Sequence, residues 1–202
     1  VKCVGHPLVD AVHSDLTSAQ AKSHFSLDEN APVLGLFPGS RRSEVEALLP
    51  VMLATAEHIQ QRDSSIQVIL PLAPGLDRAL IEPFLSQTAV KVKVISGEFY
   101  DVVRSCNAIV AASGTVTLEI ALLGIPHLIT YRVAPLTYHI LKRLVKIPYV
   151  GLCNIVTGEN VVTELLQKQV SVSELAPRLL YFLTAADAKQ NAESVQQQVL
   201  EA

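Results

Sequence analysis

Short apolar runs alternate with longer stretches of helical spacing through the first two thirds of the chain. The runs are VLGLF (33–37), IQVIL (66–70), KVKVI (91–95), AIVAA (108–112) and HLITY (127–131). Runs this short and this apolar, bounded by Gly, Pro, Ser and Asn, predict buried strands. Between the first two, Val45, Leu48, Leu49, Met52, Ala56 and Ile59 recur at helical spacing. Pro50 falls within that pattern, where it either kinks the helix or begins its main part. GLDRALIEPFLSQ and EFYDVVRS predict the next two crossovers, and TVTLEIALLG a fourth, stopped by Gly124 and Pro126. Strands alternating with helices predict an α/β fold: a parallel sheet with helices on both faces, Rossmann-like once its crossovers are right-handed.

Beyond Tyr131 the spacing turns helical, with helices expected over 135–146, 159–168, 172–184 and 188–201. Residues 1–30 predict a linker with a short helix, and 31–202 a single Rossmann-like domain with extra C-terminal helices. The chain opens on VKCVGHPLVD, like the end of a strand, and its one methionine is Met52. These features lead to the expectation of a C-terminal part of a longer protein.

The composition narrows the function. The chain has 202 residues, 50% of them hydrophobic, enough for a full core in one domain. A net charge of −3 gives no basic footprint for nucleic acid, so no nucleic-acid partner is expected. Cys3, Cys106 and Cys153 are scattered and odd in number, which fits reduced thiols in a cytoplasm. The dispersed histidines form no metal-ligand motif, so neither a metal nor another cofactor is expected. No apolar run approaches the ~18 residues of a membrane span.

Two predicted strand ends carry candidate chemistry. In FPGSRRSEVE (37–46), Gly39 and Ser40 allow a tight turn with exposed N–H groups. Arg41 adds a planar fork of donors matched to phosphate or carboxylate. Two cations at a helix N-terminus oppose the helix dipole unless an anion lies between them and it. The plainer reading is a tight loop with two solvated arginines. In AASGTVTLE (111–119), Ser113, Gly114 and Thr115 turn from a strand into a helix, where free N–H groups favour an anion. Glu119 lies one turn further on the same face, within reach of a ribose diol. The plainer reading here is an N-cap followed by a favourably placed acid. Neither loop has the GxGxxG or GxxxxGK[ST] pattern, which weakens a dinucleotide or P-loop reading.

The stretch APLTYHILKRLVKIPYVG (134–151) mixes Lys142, Arg143 and Lys146 with leucines and valines. It predicts either an amphipathic helix on the domain or one resting on a membrane surface. Asn154, in GLCNIVTGENVV, is either a turn former or a polar group facing the ligand cleft.

Taken in order, VGHPLVD, FPGSRRSEVE, ASGTVTLE, ITYRVAPLTYHILKRLVKIPYVGLCNIV and VVTELLQ closely resemble the C-terminal half of bacterial lipid-A-disaccharide synthases, from Val4 to about Leu183. The resemblance implies the C-terminal, donor-binding domain of a GT-B glycosyltransferase, facing an N-terminal acceptor domain across a cleft. It implies an inverting, metal-independent transfer from UDP-2,3-diacylglucosamine to 2,3-diacylglucosamine 1-phosphate, with release of UDP. By the same resemblance Ser40, Arg41, Ser113, Gly114, Thr115, Glu119 and Asn154 contact UDP, while Arg42 falls at a variable place. The family's asparagine usually follows a proline; here Cys153 precedes Asn154. The general base and the acceptor-lipid surface belong to the N-terminal domain, so no catalytic residue is expected in this chain and the chain alone is expected to be inactive. A cytoplasmic location is implied, with peripheral contact on the cytoplasmic face of the inner membrane and a homodimer both compatible with it. Two other readings compete: another GT-B enzyme, such as a UDP-N-acetylglucosamine epimerase or the peptidoglycan glycosyltransferase, and a non-catalytic nucleotide-binding or dimerisation module.

Overall fold

Strands β1 (Val33–Phe37), β2 (Gln67–Leu72), β3 (Val92–Ser96), β4 (Ala108–Ala112), β5 (His127–Tyr131) and β6 (Glu164–Leu166) form one sheet in the computed structural model, which describes residues 11–133 and 149–202. Their order is β3-β2-β1-β4-β5-β6 and every pairing is parallel. The predicted stretches 1–10 and 135–146, with the basic apolar residues they contain, lie outside the described residues.

The strand alternation divides two cores. Leu34, Leu36, Val68, Leu70, Ala108, Val110 and Ala112 face one side of the sheet, together with the buried stripe of helix α2 (Arg42–Gln60). Val33, Phe37, Ile69, Ile109 and Ala111 face the other. There they meet α4 (Phe99–Ser105) and α5 (Thr115–Leu122) through Val102, Val103 and Ile120. Both faces are therefore covered, as parallel sheets require. Gly35 is needed on the second face, because a Cβ there would lie 2.8 Å from Cys106 Sγ and 3.0 Å from Ile109 Cγ1.

Helix α2 runs unbroken through Pro50, which is exposed. The missing N–H deprives the Glu46 carbonyl of its helical partner. The prolyl ring faces solvent, where water can serve that carbonyl. Helix α1 (Ser18–His24) packs on α4, and its Lys22 ammonium donates to the carbonyls of Glu29 (3.3 Å) and Ala31 (2.9 Å), just ahead of β1. The second crossover is shorter than predicted: a 3-10 turn at Arg78–Leu80 and a single helical turn, α3 (Glu82–Leu85).

After β5 the structure corrects the predicted helix at 159–168. A short helix, α6 (Leu152–Thr157), ends at Gly158 in the left-handed region (φ 71°). The chain then adds β6 to the sheet edge, pairing Thr130 with Leu165. Val161, Val162, Leu165 and Leu166 fit helical spacing equally well, and the free edge of β5 decides against it. Helices α7 (Val172–Thr184) and α8 (Ala188–Glu201) match their predicted bounds. Helix α7 packs on α2 and α8 packs on α5.

Candidate functional site

The strand order reverses between β1 and β4, so the turns that follow these two strands leave the same end of the sheet side by side. Phe37 lies beside Ala111 in the register. A crevice at such a reversal is where open α/β sheets bind ligands. A cleft of about 520 Å³ lies there, lined by Arg41, Glu44, Ala112, Ser113 and Arg132 among others. Arg42 is not among its lining residues.

The turn after β1 presents consecutive backbone donors. Gly39 has φ 107°, a conformation that favours glycine. The N–H groups of Ser40 and Arg41 both donate to Glu44 Oε2, at 3.0 and 3.2 Å. Arg41 Nη1 donates to Glu44 Oε1 at 2.9 Å. Arg41 is the N-cap of α2 and Glu44 its third residue, so the carboxylate also satisfies the helix start. Arg42 turns the other way and donates through Nε to Glu46 at 2.7 Å. The arginine side chains are equally exposed, 79% and 77%, but only Arg41 borders the cleft.

The turn after β4 starts α5 without a side-chain cap. Gly114 and Thr115 are exposed, and a Cβ on Gly114 would meet nothing among the described residues within 4 Å. The helix start is thus open to an incoming group. Ser113 is committed to the fold: its N–H donates to the Thr130 carbonyl at 2.9 Å and its hydroxyl to the Val150 carbonyl at 2.5 Å. Its hydroxyl oxygen retains acceptor capacity only. Glu119, partly exposed on α5, accepts a hydrogen bond from the Tyr100 hydroxyl at 3.1 Å. Burial and then the Glu119 charge push the Tyr100 phenol above its ordinary range, so it stays protonated and donates.

Asn154 departs from the expectation that it contacts the nucleotide. It is fully buried, and its amide closes the 150–164 loop on itself. Nδ2 donates to the Val162 carbonyl at 2.7 Å and to Glu164 Oε1 at 2.8 Å, while Oδ1 accepts from Val162 N–H at 2.9 Å. No polar atom of the side chain is left for a ligand. Asn154 lies within α6, so it is not a turn former either; its amide ties that helix to the residues leading into β6.

Two cleft residues escaped the sequence reading. Arg132, just past β5, borders the cleft while its guanidinium donates to the carbonyls of Ala47 and Val170, tying α2 to the chain entering α7. Its place at a strand's carboxyl end was the available signal. The other is Glu44, the third residue of α2, whose place in the sequence is that of any acid in a helix's first turn. Among the described residues, no group of three or more His, Cys, Asp or Glu side chains is placed to hold a metal ion. Cys106 and Cys153 are free and buried, and burial pushes their thiols up to about 12 and about 11, far from reactive thiolate.

This strand order, with two donor-rich turns meeting at its reversal, defines a Rossmann-like parallel α/β domain. TarM superposes with a TM-score of 0.56 at 10% identity, over 85% of this chain and 32% of that one. The spinosyn rhamnosyltransferase SpnG, complexed with thymidine diphosphate, gives 0.55 at 15% identity, over 84% and 41%. A putative UDP-N-acetylglucosamine 2-epimerase from Listeria monocytogenes gives 0.54 at 13% identity, over 98% and 46%. At these identities the likeness is one of fold.

The chain belongs to the lipid-A-disaccharide synthase family: the family model described as lipid-A-disaccharide synthetase matches residues 1–202. The lipid-A-disaccharide synthase of Geobacter sulfurreducens is 46% identical over 183 residues, covering 91% of this chain and 48% of that protein. That of Nitrosococcus oceani is 40% identical over 193 residues, covering 96% and 50%. The chain spans about half the length of the curated relatives it matches, and the resemblance carried by its ordered motifs is borne out.

Proposed function

We propose that this chain is the donor-nucleotide-binding part of an inverting glycosyltransferase, which condenses UDP-2,3-diacylglucosamine with 2,3-diacylglucosamine 1-phosphate to give the lipid A disaccharide and UDP. The observation that carries the reading is the meeting of the Ser40–Arg41 turn with the uncapped start of α5 beside one cleft. Residues 31–202 form the donor-binding domain in this reading, and residues 1–30 lead into it. The diphosphate lies between the Ser40 and Arg41 donors and the N-terminus of α5 at Gly114 and Thr115, and Glu119 accepts from the ribose hydroxyls. Negative charge grows on the diphosphate as UDP departs, and a fixed guanidinium at Arg41 lowers the energy of that state. The base that takes the acceptor hydroxyl's proton comes from the facing acceptor domain. Acylated substrates reside at a membrane surface, so the reading includes peripheral contact with the inner membrane; among the described residues no helix is long and apolar enough to cross one.

The test is a transfer assay with the acylated UDP-sugar and the acylated glucosamine phosphate, on the protein at the full length of its relatives and on this chain alone. Disaccharide formation by the longer protein and none by the chain is the expected result. Turnover by the chain alone overturns the assignment of the base to the other domain, and no turnover by either overturns the reaction.

A further inference from the structure

The carboxylate of Glu44 occupies the donor set that the proposed function assigns to the ligand's diphosphate. Its two oxygens take the Ser40 N–H, the Arg41 N–H and one arm of the Arg41 guanidinium, at 3.0, 3.2 and 2.9 Å. It is packed closely into the turn: a Cβ on Gly39 would lie 2.3 Å from Glu44 Oε2. The Glu44 side chain is only 24% exposed, whereas the Arg41 side chain that covers it is 79% exposed. Two consecutive backbone N–H groups and a guanidinium make one anion site. That site cannot hold a carboxylate and a phosphate together, because like charges at contact distance repel.

We infer that Glu44 is an internal competitor for the anion site and thereby sets its selectivity for charge. This rests on the reading of the cleft as a nucleotide diphosphate site. In the empty protein Glu44 supplies the anion that the misplaced-looking cations need, and it holds the Gly39–Arg41 turn in its binding shape. A ligand enters by displacing it into the adjoining cleft, where Glu44 is itself a lining residue. A neutral nucleoside has nothing with which to displace it. A monophosphate does so weakly, and a diphosphate, with more charge over more oxygens, does so best. The measured affinity for anionic ligands is therefore reduced by the fraction of molecules in which Glu44 holds the site.

The experiment is a calorimetric titration of UDP, UMP and uridine into this chain and into its Glu44→Gln and Glu46→Gln variants. Glutamine keeps the helix-cap acceptor and removes the competing charge, and thermal melts followed by circular dichroism check that each variant folds. Glu46→Gln removes an equal charge two residues away, one already paired with Arg42 outside the cleft. Glu44→Gln is expected to bind UDP and UMP roughly 3- to 10-fold more tightly with uridine unchanged, as expected when a competing state is removed. Glu46→Gln is expected to change UDP by under about twofold, as an exposed charge does. Unchanged or weaker UDP binding by a folded Glu44→Gln variant makes Glu44 a helix cap alone and overturns the inference. An equal gain in Glu46→Gln makes the effect one of general field and also overturns it. If the unsubstituted chain binds UDP no better than uridine, the diphosphate reading itself fails, an outcome distinct from the other two.

Discussion

Asn154 Nδ2 donates to Glu164 Oε1 at 2.8 Å, and the same carboxylate holds the N–H groups of Gly151 (2.8 Å) and Val150 (2.9 Å). Val150 in turn accepts the Ser113 hydroxyl. A buried amide in α6 is thus linked through one edge-strand acid to the turn that starts α5. Removing one member strands the others, which is costlier than the net worth of any one bond. Asn154→Ala is expected to destabilise the chain by about 1–3 kcal/mol in urea unfolding, because it leaves the Val162 groups unpaired. In a double-mutant cycle Asn154→Ala and Glu164→Gln should couple by about 0.5–3 kcal/mol. Simple additivity would mean that the two act independently.

The two arginines offer a test by neighbours. They carry the same charge at the same exposure and differ in which way they turn. Arg41→Ala is expected to weaken UDP by about 1.5–3 kcal/mol while sparing uridine. Arg42→Ala should cost under about 1 kcal/mol. Arg41→Lys should restore only part of the loss, since an ammonium lacks the planar fork. Equal losses for UDP and uridine in Arg41→Ala would remove the arginine from the diphosphate.

In the proposed binding mode Glu119 and Tyr100 bear on the sugar rather than the phosphates. With one carboxylate oxygen held by the Tyr100 hydroxyl, the other is free to accept from a vicinal diol. UDP is expected to bind more tightly than 2′-deoxy-UDP, by about 1.5–3 kcal/mol for a lost hydrogen bond to a charged group. Glu119→Ala should erase the difference and Tyr100→Phe should reduce it. Paired titrations of the two nucleotides measure this, and equal affinities in the unsubstituted chain would rule the role out.

His127 ties stability to pH. It begins β5 with 4% exposure, and its Nδ1 proton goes to the Ile125 carbonyl at 3.0 Å. Among the described residues no group hydrogen-bonds the buried Nε2, and burial pushes the imidazole down from 6.5 to about 4. The unfolded chain therefore binds a proton between those values that the folded chain does not. Stability is full above about pH 6.5 and falls as the pH drops towards 4, by ~3 kcal/mol for this group. Urea midpoints measured from pH 7 to 4 should show the fall, and His127→Phe should flatten its part of it. A parallel slope in both proteins would assign the loss to other groups.

Much of this architecture can be read from the residues. VLGLF, AIVAA and HLITY are bounded by Gly, Pro, Ser or Asn and coincide with β1, β4 and β5 to the residue. Helices α7 and α8 likewise have apolar stripes long enough to fix their bounds. Strand β6 could not be read, because three residues carry no period and only the open edge of β5 makes them a strand. The residue types of the turns at 38–41 and 113–115 point to a candidate anion site, and the fold brings both turns to one end of the sheet beside one cleft. The burial of Asn154 and the insertion of Glu44 beneath Arg41 are tertiary facts. No spacing distinguishes an acid that caps a helix from one that also takes the donors of the turn before it.

The seam between β1 and β4 has a consequence for how the chain folds. Val33 N–H bonds the side chain of Asn107, 74 residues further along and just ahead of β4, and β1 and β4 run side by side in register. Closing so long a loop costs entropy before any pairing rewards it, and contacts of this separation slow folding. The β1-β2 and β2-β3 pairings span shorter separations and can form before the β1-β4 pairing. The cleft between the two turns comes into being only when β4 docks. During refolding, a UDP-dependent signal should therefore recover no earlier than the last phase seen by circular dichroism, which makes ligand binding a clock for the completed sheet.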